Sequence, residues 1–188
     1  VREGLIPRNP TDGTTIPRLV RTEKTVLIES QIEKFMKTVE SDVLWRDFFF
    51  MELMMGFRRG EICGLKWTDF DEETGRLNIN RSIEVKNGIV TEGETKTGKG
   101  RRSFYLPEST ADMLRERKKT AKTEWIFTDP IKPELPIAPP KAYRKMKELL
   151  SKANLPNIRF HDLRHTFATH AITSGVDAKT LSGILVNA

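Results

Sequence analysis

The chain has 188 residues, room for one sizeable domain or one domain with a short appendage. Its 37% hydrophobic and 31% charged residues exclude a disordered tail, and no apolar run approaches the roughly 20 residues of a membrane-spanning helix. The net charge of +6 is segregated: residues 23–75 hold 7 basic and 12 acidic side chains, residues 76–140 hold 13 and 9, and residues 141–188 hold 8 and 3. Such segregation favours a polyanion against the later two thirds, although a solvated lysine-rich surface has the same composition. The single cysteine, Cys63, cannot close an internal disulfide, which points to a reducing, intracellular setting.

In chain order, residues 1–22 contain Gly4, Pro7, Pro10, Gly13 and Pro17 without apolar periodicity and read as a linker. Ser30-Gln31-Ile32-Glu33 has the form of a capping box, and Ile32, Phe35, Met36 and Val39 follow it at helical spacing. A second apolar helix runs from Asp42 to Met55 through Leu44, Phe48 and Met51, is broken by Gly56-Phe57, and gives way to a third helix from Arg58 to Leu65. The period then becomes two, with Leu77, Ile79, Ile83 and Val85 on one face and Asn87-Gly88 as a hairpin turn. A second strand starts at Ile89 and a third runs from Arg101 to Leu106, stopped by Pro107. Between them Thr95 to Gly100 form a basic turn. Helices are expected at about 109–122, 139–153, 161–173 and 178–185. The fold class is mainly α with a small three-stranded antiparallel β-sheet.

Three clusters carry the chemistry: Gly56-Phe57-Arg58-Arg59-Gly60-Glu61, the turn with Lys96, and His161-Asp162-Leu163-Arg164-His165. On a helix His161, Arg164 and His165 share a face. An imidazole beside a guanidinium suits a phosphate, which accepts paired hydrogen bonds from Arg and another from His. Zinc is the rival reading, since His at i and i+4 is also ligand spacing. It is disfavoured because Asp162 stands where the zincin motif has Glu, and Arg164 would repel the cation.

In this order the clusters resemble the catalytic domain of tyrosine recombinases of the phage integrase family, with integrases of conjugative transposons most similar. The resemblance covers about residues 20–185, and Ile6 to Pro10 resemble the linker after a core-binding domain. It implies an integrase catalytic-domain fold over 23–188, lacking its C-terminal nucleophile segment, with 1–22 as the linker from a missing N-terminal domain. It also implies that Arg58 and Arg164 grip the scissile phosphate, that Lys96 protonates the leaving 5′ oxygen, and that His161 helps take the nucleophile's proton. Glu61 and His165 support them, Lys99, Arg101 and Arg102 contact DNA, and Arg59 is a solvent-facing neighbour of Arg58.

By the same resemblance the reaction cuts and rejoins DNA through a 3′-phosphotyrosyl intermediate to integrate or excise a mobile element. It uses no metal and no nucleotide cofactor, because the phosphotyrosyl bond conserves the phosphodiester energy. The implied partners are double-stranded DNA at recombination sites and other integrase protomers, with no membrane, in a bacterial cytoplasm. A type IB topoisomerase has similar chemistry, but the linker and the box around His161 favour the recombinase. Two departures stand out: Val186-Asn187 follow Leu185 where the family has Gly-His or Gly-Trp, and the family's attacking tyrosine lies beyond the position of Ala188. Tyr105 and Tyr143, the only tyrosines, match core or groove positions instead. The alternative is a naturally truncated protein that occupies recombination sites without cutting.

Overall fold

The computed structural model describes residues 7, 9, 11–15, 25–94, 102–177 and 181. Helix α1 (Glu29–Val39) buries Phe35 and Val39. Its start lies ahead of the expected Ser30 cap. The Gln31 side-chain oxygen accepts the Ile28 N–H at 3.1 Å, so the reciprocal half of a capping box forms two residues earlier than the Ser30-to-Glu33 pattern suggests. Helix α2 (Val43–Met55) begins where Asp42 accepts the Trp45 N–H. It buries most of its circumference, with Trp45, Phe48, Phe49, Met51 and Met55 all in the core, and is therefore the central element of the fold.

Phe48 is the hub of that core. Its ring meets Trp45 at 5.5 Å, Phe49 and Phe127 at 5.2 Å each, and Phe160 at 6.4 Å, all edge-on. Burial of such a ring contributes about 1.5–3 kcal/mol, with more from the aromatic geometry. Because Phe160 opens the helix that carries His161 and Arg164, the same packing sets where those residues stand.

Gly56 ends α2 in the left-handed region (φ 59°), and α3 (Arg59–Cys63) follows. A 3₁₀ turn at Trp67–Asp69 then leads into β1 (Phe70–Asp71), β2 (Arg76–Ile79), β3 (Arg81–Lys86), β4 (Ile89–Glu94) and β5 (Arg102–Tyr105). The antiparallel three-stranded sheet has the order β1-β2-β5, with Leu77 opposite Phe104, while β3 and β4 form a separate hairpin. Asn87 (φ 52°) and Gly88 (φ 78°) supply the two positive-φ positions of its turn.

The single strand expected through Leu77 to Val85 is broken at Asn80. The buried Asp69 carboxylate accepts Asn80 Nδ2 at 2.8 Å and also pairs with Arg81, and this bends the chain out of one ladder into the next. Leu77, Ile79 and Ile83 remain buried across the break, whereas Val85 is exposed. Gly60 permits α3 to lie against β3, since a Cβ there would sit 2.7 Å from the Ile83 carbonyl oxygen.

Helix α4 (Glu108–Lys118) stops short of residue 122. The amides of Lys119, Thr120 and Ala121 bond to carbonyls three residues back, tightening the chain out of the α-helix. Helix α5 (Pro139–Lys152) opens on two prolines, compatible with a first turn that needs no N–H donors, and closes through Asn154 in the left-handed region. Helix α6 (Phe160–Thr173) is capped when Asp162 accepts the Arg159 N–H at 2.8 Å. On its far side α6 clamps one residue of the incoming chain: Thr166 Oγ1 accepts the Leu27 N–H at 3.2 Å, and His170 Nε2 meets the Leu27 carbonyl at 2.9 Å. Of the expected helix at 178–185 only Leu181 is described, and it is helical and buried. Among the described residues no helix is long and apolar enough to cross a membrane.

Candidate active site

Arg58 sits in the short connection between α2 and α3, one turn before Glu61. The Glu61 carboxylate is nearly inaccessible. It accepts the Arg58 N–H at 2.9 Å and Arg58 Nη1 at 2.9 Å, so one acid fixes both the backbone and the fork of that arginine. The same carboxylate receives both ends of the Arg102 guanidinium, at 2.9 and 2.8 Å, from the start of β5. Burial alone would raise the Glu61 pKa, but the Arg102 and Arg58 hydrogen bonds outweigh it and hold the carboxyl below its usual range.

Arg164 reaches the same place from α6. It is 4% exposed and donates from Nη1 to the Gly56 carbonyl at 2.7 Å, two residues before Arg58. The left-handed turn at Gly56 gives that carbonyl its direction. Burial, then the neighbouring Arg58 and Arg102 cations, disfavour the Arg164 charge, with Glu61 opposing them. Residues 108 positions apart are thus joined by one hydrogen bond.

Beneath them lies Glu52, on the inner side of α2. It is 0% exposed, and both carboxylate oxygens lack a hydrogen-bond partner. Burial pushes its pKa well above the usual carboxylate range, with Arg164 opposing and Glu61 reinforcing the shift. A group so placed favours the protonated acid. Arg58, Arg102 and Arg164 thus bring three guanidinium groups to two carboxyls, Glu61 and Glu52, and burial disfavours the charge of the second. This leaves an excess of positive charge that an anion would neutralise.

His161 is exposed at the first turn of α6, and its ring stands 4.7 Å from that of His165 in an edge-on arrangement, as the i, i+4 spacing predicts. His161, Arg58, Arg59, Tyr143, Arg159 and Phe160 line one open groove of about 380 Å³. Among the described residues no group of three His, Cys, Asp or Glu side chains is placed to hold a metal ion.

The expected site residues thus divide into three sets. Arg58, Glu61, His161, Arg164 and His165 gather around the end of α2 and the first turns of α6. Lys96, Lys99 and Arg101 lie outside the described residues. Arg102, expected as a DNA contact, turns inward instead: its side chain is 8% exposed and both ends of its fork are taken by Glu61. Tyr105 is 71% exposed on β5 and lines a separate apolar groove with Leu53, Met54 and Phe167, so it is a groove residue and not a core one. Tyr143 is half-buried on α5, under the Arg59 guanidinium.

Sequence reasoning missed Glu52 and the Arg102–Glu61 fork. The signal for Glu52 was a lone charge within the apolar run Phe48 to Met55. Arg102 offered none, because its partner lies 41 positions away.

Comparison with known proteins places the sequence and fold among tyrosine recombinases. The chain is 27% identical over 215 residues to the tyrosine recombinase XerC-like protein of Caldanaerobacter subterraneus subsp. tengcongensis, covering 98% of this chain and 54% of that protein. It is 26% identical over 192 residues to the ICEBs1 integrase of Bacillus subtilis, covering 96% and 52%. It spans about half the length of these curated relatives. Its fold matches that of the Tn1549 transposon integrase solved in complex with transposon right end DNA, with a TM-score of 0.83, 23% identity, and coverage of 97% of this chain and 65% of that one. Residues 25–185 match the phage integrase family, and with the two arginines and the histidine box assembled as described, the chain belongs to that family.

Proposed function

We propose that residues 23–188 are the catalytic-domain portion of a site-specific recombinase that cuts and rejoins duplex DNA through a 3′-phosphotyrosyl intermediate, in integration and excision of a mobile element. The observation that carries this reading is that Arg164, far from Arg58 in sequence, is held beside it through the Gly56 carbonyl and feels its charge, at a place with more guanidinium than carboxyl groups. Two guanidinium forks grip the non-bridging oxygens of the scissile phosphate and stabilise the charge that grows in the pentacoordinate transition state. Glu61 holds Arg58 rigid for that task. His161, at the exposed edge of the same groove, helps take the nucleophile's proton, and His165 packs against it. Lys96 delivers a proton to the leaving 5′ oxygen. The DNA carries further integrase protomers, and residues 1–22 connect the domain to a core-binding domain.

Neither tyrosine of the chain serves as the attacking group in this reading. Tyr143 is pinned between Arg59 and Lys147, whose charged groups lie 5.8 and 5.1 Å from its ring centre, and Tyr105 faces a groove lined by other residues. A nucleophile must lie within about 3–3.5 Å of phosphorus and in line with the leaving oxygen.

The test is a nicked suicide duplex bearing the recombination site. Residues 1–188 alone should form no covalent adduct, and a protein in which they are followed by the family's tyrosine segment should form one. In that longer protein Arg58→Lys or Arg164→Lys should keep most DNA binding and lose cleavage. An adduct from the 188-residue chain that disappears with Tyr105→Phe or Tyr143→Phe would overturn the assignment.

A further inference from the structure

Arg59 has a setting unlike that of a merely solvated side chain. It is exposed, yet its guanidinium stands over two aromatic rings, 5.8 Å from the centre of Tyr143 and 6.0 Å from that of Phe160. Among the described residues no carboxylate pairs with it, whereas Arg58 and Arg159, which line the same groove, are paired with Glu61 and Asp162. The rings come from different helices, α5 and α6, so the shelf exists only in the folded domain. A guanidinium stacked by its face keeps its N–H edge available, and that edge matches a phosphate in two-point geometry.

The covalent neighbours of this shelf locate it. Arg59 follows Arg58 and Phe160 precedes His161, so the shelf is one residue removed, on both sides, from two groove-lining groups of the proposed site, Arg58 on the scissile phosphate and His161 beside the nucleophile. Arg58 and Arg59 line one groove, so a duplex whose scissile phosphate lies on Arg58 places a neighbouring phosphate of the same strand within reach of the long Arg59 side chain.

We propose that Arg59, stacked on Tyr143 and Phe160, binds the backbone phosphate next to the scissile one and so fixes the register of the DNA strand in the site. The inference rests on the recombinase reading above. The contact is to phosphate and is therefore blind to base sequence. Tyr143 acts through Arg59 as a positioning residue, holding the cation in place before DNA arrives.

The experiment uses the 188-residue chain and two short duplexes of unrelated sequence, with affinity followed by fluorescence anisotropy across a salt series. The wild-type chain should bind with a steep log-log salt slope. Arg59→Gln should weaken binding by the same factor on both duplexes and lower the slope by about 0.9, the value for one lost phosphate contact. Tyr143→Leu should weaken binding while leaving the slope unchanged, because the charge remains and only its support is gone, and Tyr143→Phe should restore the affinity. Thermal melting of each variant at the wild-type temperature excludes unfolding as the cause of Arg59→Gln losses. An unchanged slope and affinity in Arg59→Gln, beside a steep wild-type slope, would overturn the Arg59 contact alone. A loss confined to one duplex would mean a base contact and overturn it as well. A wild-type chain whose binding ignores salt would overturn the DNA reading and this inference with it.

Discussion

Replacing Glu61 by Gln tests the architecture of the site directly. The carboxylate is 2% exposed and serves four donors: the Arg58 amide, the Arg58 fork and both ends of the Arg102 fork, whose side chain is 8% exposed. An amide of the same shape keeps one acceptor oxygen, points an N–H₂ group at a guanidinium, and leaves Arg102 as a buried cation without a counter-charge. Breaking a buried pair in this way costs about 3–5 kcal/mol, a large part of the roughly 5–15 kcal/mol that holds a domain together. With a urea dependence of about 2 kcal/mol per molar, the unfolding midpoint should fall by about 2 M. The pH dependence has a definite sign. The folded Glu61 carboxyl lies below its unfolded value of about 4.3, so its contribution is complete above that value and is lost as pH falls through the folded pKa. The gap between wild type and Glu61→Gln, measured by urea titration, should therefore be wide at pH 7 and close toward pH 3. Replacing Glu61 and Arg102 together by Leu should cost less than Glu61→Gln, because both buried charges are removed. An unchanged midpoint at pH 7, or a gap that does not vary with pH, would refute the view that Glu61 is the ionised anchor of the site.

Two further outcomes follow from packing. Gly60→Ala places a Cβ 2.7 Å from the Ile83 carbonyl oxygen, so it should lower stability by about 1–3 kcal/mol and be visible as a drop in melting temperature. Cys63 is wholly buried, and burial, followed by the nearby Glu52, raises its thiol pKa. Its alkylation by iodoacetamide should therefore be negligible in the native protein and rapid in denaturant, and fast native labelling would contradict the packing around α3.

What the sequence made legible was local. Asp42 caps α2 because its side chain reaches an amide three residues on, and Asn87-Gly88 turns the hairpin because both positions tolerate positive φ. The shared face of His161, Arg164 and His165 follows from helical spacing alone, and the edge-on histidine pair agrees with it. The cap of α1 was misplaced because Ser30-Gln31-Ile32-Glu33 offers two overlapping polar pairs, and Gln31 reaching back to Ile28 prevailed. The break at Asn80 and the inward turn of Arg102 depend on acids 11 and 41 positions away, Asp69 and Glu61. No reading of local pattern contains those distances. The turn that carries Lys96 lies outside the described residues.

The clamp on Leu27 gives the domain a mechanical linkage. Both amide groups of that one residue are held by Thr166 and His170 on α6, the helix that also carries His161 and Arg164. The Leu27 side chain is itself buried in the core, so a pull on the residues that precede it loads the core and, through these two bonds, α6 as well. A displacement of the incoming chain becomes a torque on the helix from which Arg164 grips the Gly56 carbonyl. Leu27 thus stands one hydrogen bond from the helix that carries Arg164, and Arg164 one hydrogen bond from the turn that carries Arg58.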